Sequence, residues 1–187
     1  MPTPPDPQTA FMARLSNLCG NAFAGKLVSN EAADADMVGA PMIMHVRDCS
    51  TESVRIPFHV ARKDGSWDRS RTWVITRTTT GLRLKHDHRH LDGSADNVTQ
   101  YGGDSVNGGT AARQDFAVDQ ESIAMFRREG LPKSVTNIWA VEVTEASASN
   151  PSFAYELRRT GENARLFRVE FDLTKPVAPP PAPWGAQ

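Results

Sequence analysis

Apolar and polar positions alternate along many short segments of the chain, and this period of two is typical of β-strands. In the clearest case, RLFRVEFDL, the two kinds of residue alternate from Phe167 to Leu173. Other segments add the β-branched and aromatic residues that strands favour. The pattern predicts strands over 22–29, 41–47, 53–60, 71–78, 82–90, 96–101, 113–118, 137–144, 152–159 and 165–173.

Two segments have the spacing of three and four that is typical of an amphipathic helix. In TAFMARLSNLCGNAF the apolar residues recur at this spacing, and Thr9 is the expected N-cap. A second helix is predicted over 119–129, with Asp119 as its N-cap and Ile123 and Phe126 facing inward.

The order of these elements predicts the fold class. Short strands joined by tight turns favour an antiparallel meander, because a parallel sheet needs a helix between most pairs of strands. We therefore predict a mainly β fold, an antiparallel meander of about 8–10 strands that closes into a barrel. An N-terminal helix and one further short helix accompany the barrel.

Proline-rich ends flank this predicted domain. We expect residues 1–8 to be a disordered leader, residues 9–175 to form a single β-barrel domain, and residues 176–187 to be an extended, solvated tail.

The layout resembles the lipocalin or calycin group of up-and-down barrels. The helix FMARLSNLCG precedes the first strand FAGKLVS, in which Gly25 falls near the Gly-x-Trp that opens lipocalins. Lys26 and Leu27 follow here, so the tryptophan of that motif is missing. The resemblance implies a barrel that binds a small apolar ligand or haem in its interior.

Composition limits the classes of partner. The 187 residues include 21 basic and 22 acidic ones, and a net charge of −1 gives no general attraction to nucleic acid. No apolar run approaches the roughly 20 residues that span a bilayer, so we expect no membrane span. No secretory signal is visible. The chain is therefore expected to be cytoplasmic if Met1 is the natural start, and periplasmic or secreted if a signal peptide has been removed.

Cys19 and Cys49 are the only cysteines. They form one disulfide in an oxidising compartment, or they are two small buried thiols.

The stretch LRLKHDHRHLDG is the main candidate for chemistry. On a regular strand Leu84, His86, His88 and His90 share the inward face, so the histidines continue the core face toward the barrel mouth. Neutral imidazoles two residues apart can converge on one transition metal, which Asp92 would also reach. The alternative is the solvated, polar end of an ordinary strand.

Two further stretches are interpreted as loops. GGDSVNGG (102–109) resembles a phosphate-binding loop only in its glycines, and we expect a flexible surface loop. ARKDGSWDRSR (61–71) is expected to be a charged loop around Trp67 that covers or gates the core.

Three hypotheses for function remain at this point, and no residue is assigned a catalytic role. The first is a non-enzymatic barrel that binds a small hydrophobic ligand, with Trp73, Leu84, His86, His88 and Trp139 at its pocket or mouth. The second is a structural or interaction module of the cell envelope. The third is a metal-binding barrel that uses the His86-x-His88 strand.

Overall fold

A computed structural model describes residues 5–186, and its secondary structure is mainly β. Its helices are α1 (Pro7–Ser16) and α2 (Gln120–Arg128), and its 3₁₀ segments are η1 (Ala32–Met37), η2 (Pro132–Thr136) and η3 (Gly161–Asn163). Its strands are β1 (Ala22–Leu27), β2 (Met42–His45), β3 (Asp48–Cys49), β4 (Ser53–Ala61), β5 (Trp67–Arg77), β6 (Leu82–His88), β7 (Tyr101–Asp104), β8 (Arg113–Ala117), β9 (Ile138–Val143), β10 (Ser152–Arg159) and β11 (Arg165–Val177).

The strands form one antiparallel sheet in the order β7-β6-β5-β4-β2-β1-β11-β10-β9-β8, with β3 beside β4. Apart from β3, which pairs only with β4, strands that follow one another along the chain lie next to one another in the sheet, and the first strand pairs with the last. The two remaining edges, β7 and β8, meet through a bridge between Ser105 and Phe116 and a 2.9 Å hydrogen bond from Val106 N to Asp115 O. The predicted meander, nearly closed into a barrel with two helices, is confirmed.

Strand β7 corrects the prediction for this part of the chain. The predicted strand over 96–101 overlaps the observed strand, Tyr101–Asp104, only at Tyr101, and the predicted loop over 102–109 begins only after Asp104. A Cβ on Gly102 would lie 1.8 Å from the Leu84 carbonyl oxygen, and one on Gly103 would lie 1.6 Å from that of Ala117. The glycines are therefore on a strand because the neighbouring main chains approach too closely for any side chain.

Helix α1 begins earlier than Thr9. The Asp6 carboxylate accepts hydrogen bonds from the Gln8 and Thr9 amides, both at 3.1 Å, and Pro7 takes the first helical position. Asp at the N-cap followed by proline is a favourable start, so the helix absorbs part of the predicted leader. Residues 1–4 of that leader lie outside the described residues.

Helix α2 begins at Asp119 as predicted, and its carboxylate accepts from the Ser122 amide at 2.8 Å. Its buried apolar residues are Met125 and Phe126, whereas Ile123 is only half-buried.

One end of the barrel is covered by α1. Phe11, Met12 and Leu15 are buried there, and Arg14 donates to the Val143 carbonyl at 3.3 Å. We call this end, where β9 finishes and β10 begins, the closed end. The opposite end, where β4 finishes and β5 begins, is called the open end.

A disulfide joins Cys19 to Cys49, with an S–S distance of 2.06 Å and Cα atoms 6.3 Å apart. It connects the segment after α1 to the short strand β3, which ties the α1 segment to the sheet. Within the described part of the chain, no helix is both long and apolar enough to cross a membrane.

Candidate functional site

Large side chains fill the interior of the barrel. Trp73 lies in the middle, stacked on Phe58 at 4.8 Å and on Tyr155 at 4.5 Å between ring centroids. Trp139 and Leu84 are also buried in this core. The structure thus places most of the predicted pocket residues against one another, where they form packed core.

His86 points into this core, as the alternation on β6 predicts, and its exposed fraction is 3%. Its Nδ1 lies 3.0 Å from the Tyr101 carbonyl oxygen, which can only accept, so Nδ1 carries the proton. Its Nε2 lies 2.7 Å from the Tyr155 hydroxyl and accepts from it. Burial lowers the pKa of His86 from 6.5 to about 3, and burial raises the pKa of Tyr155 well above its usual value. The pair is neutral and fully hydrogen-bonded.

His88 lies one step nearer the open end and is half-buried. Its Nε2 is 3.1 Å from the Tyr101 hydroxyl. Burial, together with the charge of Arg71, lowers the pKa of His88 to about 4. Burial also raises the pKa of Tyr101 to about 12. His86, His88 and Tyr101 therefore form a neutral polar cluster between the core and the open end.

The structure does not bring the predicted metal ligands into one set. His90 is exposed and lies 3.9 Å from Asp96, while Asp92 accepts from the Ser94 amide in a surface turn. Both ring nitrogens of His86 are already hydrogen-bonded. Among residues 5–186, no group of three or more His, Cys, Asp or Glu side chains is placed to hold a metal ion.

A cleft of about 490 Å³ lies at the open end, between η1 and the β4–β5 turn. Met37 and Val60 form its apolar part, and Arg71 lies beside them, paired with Asp68 at 3.3 Å. Arg71 shares its strand face with Trp73, so it projects from the barrel mouth toward this cleft. The cleft combines an apolar surface with charged side chains of both signs, the acidic ones being Asp36, Asp64 and Asp68.

The outer face of β4 and β5 is covered by the C-terminal segment, residues 178–186. His59 Nε2 lies 2.9 Å from the Pro181 carbonyl oxygen, and Arg69 Nη1 donates to the Ala182 carbonyl at 2.7 Å. The Trp184 amide in turn donates to the Arg69 carbonyl at 3.1 Å. The predicted solvated tail is therefore held to the barrel by its main chain.

His59 is the centre of this contact and is completely buried. Because the Pro181 carbonyl only accepts, Nε2 carries the proton, and Nδ1 has no hydrogen-bond partner among the described residues. Burial lowers the pKa of His59, and the bond to Pro181 partly offsets that effect. His59 is thus a neutral donor aimed outward from β4.

Beside the C-terminal segment, a second cleft of about 450 Å³ remains open. Trp67 and Leu91 form its apolar side, and Leu91 is 72% exposed. Arg62 lies over the Trp184 ring at 5.2 Å from its centroid. We call the surface formed by His59, Arg62, Trp67, Arg69 and Leu91 the outer groove.

The outer face of β8–β11 differs in character, because charged side chains satisfy one another there. Glu142 binds both Arg113 and Arg168, and Glu156 binds the same two arginines at 2.9 and 3.0 Å. Arg168 also pairs with Glu170. The hydrogen bonds from Arg168 and Arg113 lower the pKa of Glu142.

The outer groove was missed by sequence reasoning. Trp67 was expected in a loop, whereas β5 begins at this residue. One signal was available: RIPFHV is an almost continuous apolar run, which indicates a strand covered on both faces.

No family model, no curated protein and no solved structure matches this chain.

Proposed function

We propose that this chain is a non-catalytic interaction module that docks an extended peptide segment of another protein on the outside of its barrel. The observation that carries the proposal is the outer groove, which already holds a segment through hydrogen bonds from the His59 and Arg69 side chains to its main-chain carbonyls. Main-chain recognition of this kind is a common way for proteins to bind peptides.

The filled interior supports this assignment over an interior ligand site. The stacked rings of Phe58, Trp73 and Tyr155 occupy the volume that a lipocalin-like ligand would need. A barrel packed in this way is a rigid support, and its exposed outer surface is the part available for recognition.

The disulfide supports a place outside the reducing cytosol. A bridge between Cys19 and Cys49 persists in oxidising compartments such as the periplasm or the extracellular space. An interaction module of the cell envelope fits both the bridge and the groove.

A binding panel tests the proposal on the full chain. We would measure binding of proline-rich, acidic, basic and apolar peptides, and thermal shifts with fatty acids and haem. At least one peptide class should bind, and Leu91→Ala should weaken that binding at least tenfold. Leu166→Ala is the matched control, because Leu166 is exposed on the outer face of β11, away from the groove. Binding of no peptide class, either to the parent chain or to Trp184→Ala, in which the C-terminal segment is loosened, would refute the proposal.

A second candidate function rests on the cleft at the open end. Met37 and Val60 beside Arg71 suit a small ligand with an apolar body and a carboxylate. The same panel tests this candidate. A fatty acid that stabilises the chain saturably, and no longer does so in Arg71→Ala, would support the small-ligand function in place of peptide docking.

A further inference from the structure

The outer groove is built from hydrogen-bond donors at the points where it meets the C-terminal segment. His59 supplies an imidazole N–H, and Arg69 supplies a guanidinium. The groove therefore requires carbonyl acceptors from whatever occupies it. It offers few acceptors in return, the Arg69 carbonyl being the one that is used.

Proline matches this requirement because it has a carbonyl acceptor and no amide donor. In APPPAPWGA (178–186), the amides of four residues are absent, and the carbonyl of Pro181 is one of those bound. An ordinary peptide would bring an amide at each of those positions, and it would also lose more backbone freedom on binding, because proline already has its φ angle fixed. The chemistry of the groove thus selects a donor-poor, proline-rich segment.

The apolar cleft beside the segment points to the same class of ligand. Proline-rich segments in the extended PPII conformation bind grooves lined by aromatic side chains. Trp67 and Leu91 line a cleft of about 450 Å³ that Pro181 and Trp184 border without filling. The groove is therefore larger than the segment that it holds.

The occupant is also placed so that it can leave. Residues 178–186 follow the last strand, which ends at Val177, so their release breaks no strand pairing. They are held by three main-chain hydrogen bonds and by the contact between Arg62 and Trp184. A terminal segment held this weakly opens far more often than the barrel unfolds.

We propose that the outer groove is a docking site for a proline-rich segment of a partner protein, and that residues 178–186 occupy it as an internal competitor. This inference rests on the proposed function and names its ligand class. The tethered segment has a high effective concentration, so a partner must displace it or bind while it is open.

The test uses the full chain and a fluorescein-labelled peptide of sequence APPPAPWGA, with binding followed by anisotropy. Trp184→Ala weakens the internal competitor, so this variant should bind the peptide at least tenfold more tightly than the parent chain. Adding Arg69→Ala removes a groove donor and should lower that affinity at least tenfold. Adding Arg127→Ala instead, at an exposed site on α2, should leave it unchanged.

A second peptide, AAAAAAWGA, tests the role of proline and should bind at least tenfold more weakly. Equal binding of the two peptides, or binding that ignores Arg69→Ala, would overturn the proposal. Absence of binding to Trp184→Ala would also overturn it, provided that proteolysis at residues 178–186 shows that the segment has been released.

Two outcomes separate this inference from the proposed function. If acidic or apolar peptides bind in the panel and proline-rich ones do not, the docking function stands and the ligand class is wrong. If the parent chain forms a concentration-dependent dimer that Arg69→Ala dissolves, the occupant is the C-terminal segment of a second copy, and the assignment to a partner protein is overturned.

Discussion

Buried His86 and half-buried His88 on β6 allow a quantitative prediction of how stability depends on pH. The pKa of His86 is about 3 and that of His88 about 4 in the folded chain, against 6.5 for an ordinary histidine. As the pH falls below 6.5, the unfolded chain takes up protons on both residues while the folded chain does not. Protonation therefore favours the unfolded state, and the stability present at neutral pH is lost on acidification.

The size of the effect follows from linkage. A histidine that is protonated only in the unfolded state changes the free energy of unfolding by about 1.4 kcal/mol per pH unit. Between about pH 6.5 and about pH 5, His86 and His88 together should lower it by about 3 kcal/mol. The lowered pKa values of His45 and His59 act in the same direction. The carboxylates add little in this window because they titrate at lower pH.

Urea unfolding at a series of pH values measures the slope, and variants assign it. His88→Gln should remove the His88 share while the His86 share remains. His90→Gln is the matched control, since His90 lies just beyond the same strand with an exposed side chain. A free energy of unfolding that stays constant across the window would refute the buried, neutral state of the pair. An NMR titration of the His86 ring with a midpoint near 6.5 would do the same.

Three other substitutions test the packing and closure of the barrel. Gly103→Ala should lower the free energy of unfolding, measured with urea, by at least about 2 kcal/mol, because the new Cβ would meet the Ala117 main chain. Gly108→Ala is the control and should lower it much less, because a Cβ there meets nothing within 4 Å. Replacing Cys19 and Cys49 together by serine removes a cross-link of sequence separation 30. This change should lower the free energy of unfolding by about 3–4 kcal/mol, and an equal stability would contradict the stated role of the bridge. Trp73→Ala should cost about 3–5 kcal/mol, and a loss below about 1 kcal/mol would show that the interior is not packed around this ring.

The strands that the sequence predicted well are those with one buried face. On β6 and β11 the apolar residues alternate with polar ones, and side chains on opposite faces of a strand meet different surroundings. Leu84 and Val169 are both buried as that pattern requires. The alternation of side chains along β6 also predicted that His86 lies in the interior. It could not predict that the Tyr155 hydroxyl would donate a hydrogen bond to His86 Nε2.

The sequence did not predict strand β7, because the side chains of this segment carry no signal for a strand. Gly102 and Gly103 have none, so the segment shows no alternation, and its composition is that of a loop. The requirement for glycine arises from the carbonyls of Leu84 and Ala117, on parts of the chain distant in sequence. Only the folded arrangement shows why the strand at this edge of the barrel needs glycine at its two central positions.

The outer groove was missed for a related reason. A proline-rich tail shows the same sequence pattern whether it is solvated or bound, because the PPII conformation does not depend on internal hydrogen bonds. The two states differ only in the surface that the tail contacts. In the sequence, nothing distinguishes His59 on that surface from any other histidine on a predicted strand. Its complete burial on an outward-facing position depends on the main chain of Pro181, which lies 122 residues away.

The polar groups of the barrel are the basis of the proposal that recognition takes place on its outer wall. Inside, His86 is hydrogen-bonded to the Tyr155 hydroxyl and to the Tyr101 carbonyl. A ligand that entered the core could not bond to the His86 ring nitrogens, because both are already paired. Outside, His59 and Arg69 direct their donors to a segment that can leave without disturbing a strand pair. When the segment leaves, water reaches these donors, so an occupant must supply carbonyls that replace the hydrogen bonds to water. The interior of this barrel therefore suits a rigid support. Under the proposal, its outer wall is the surface on which a partner segment replaces residues 178–186.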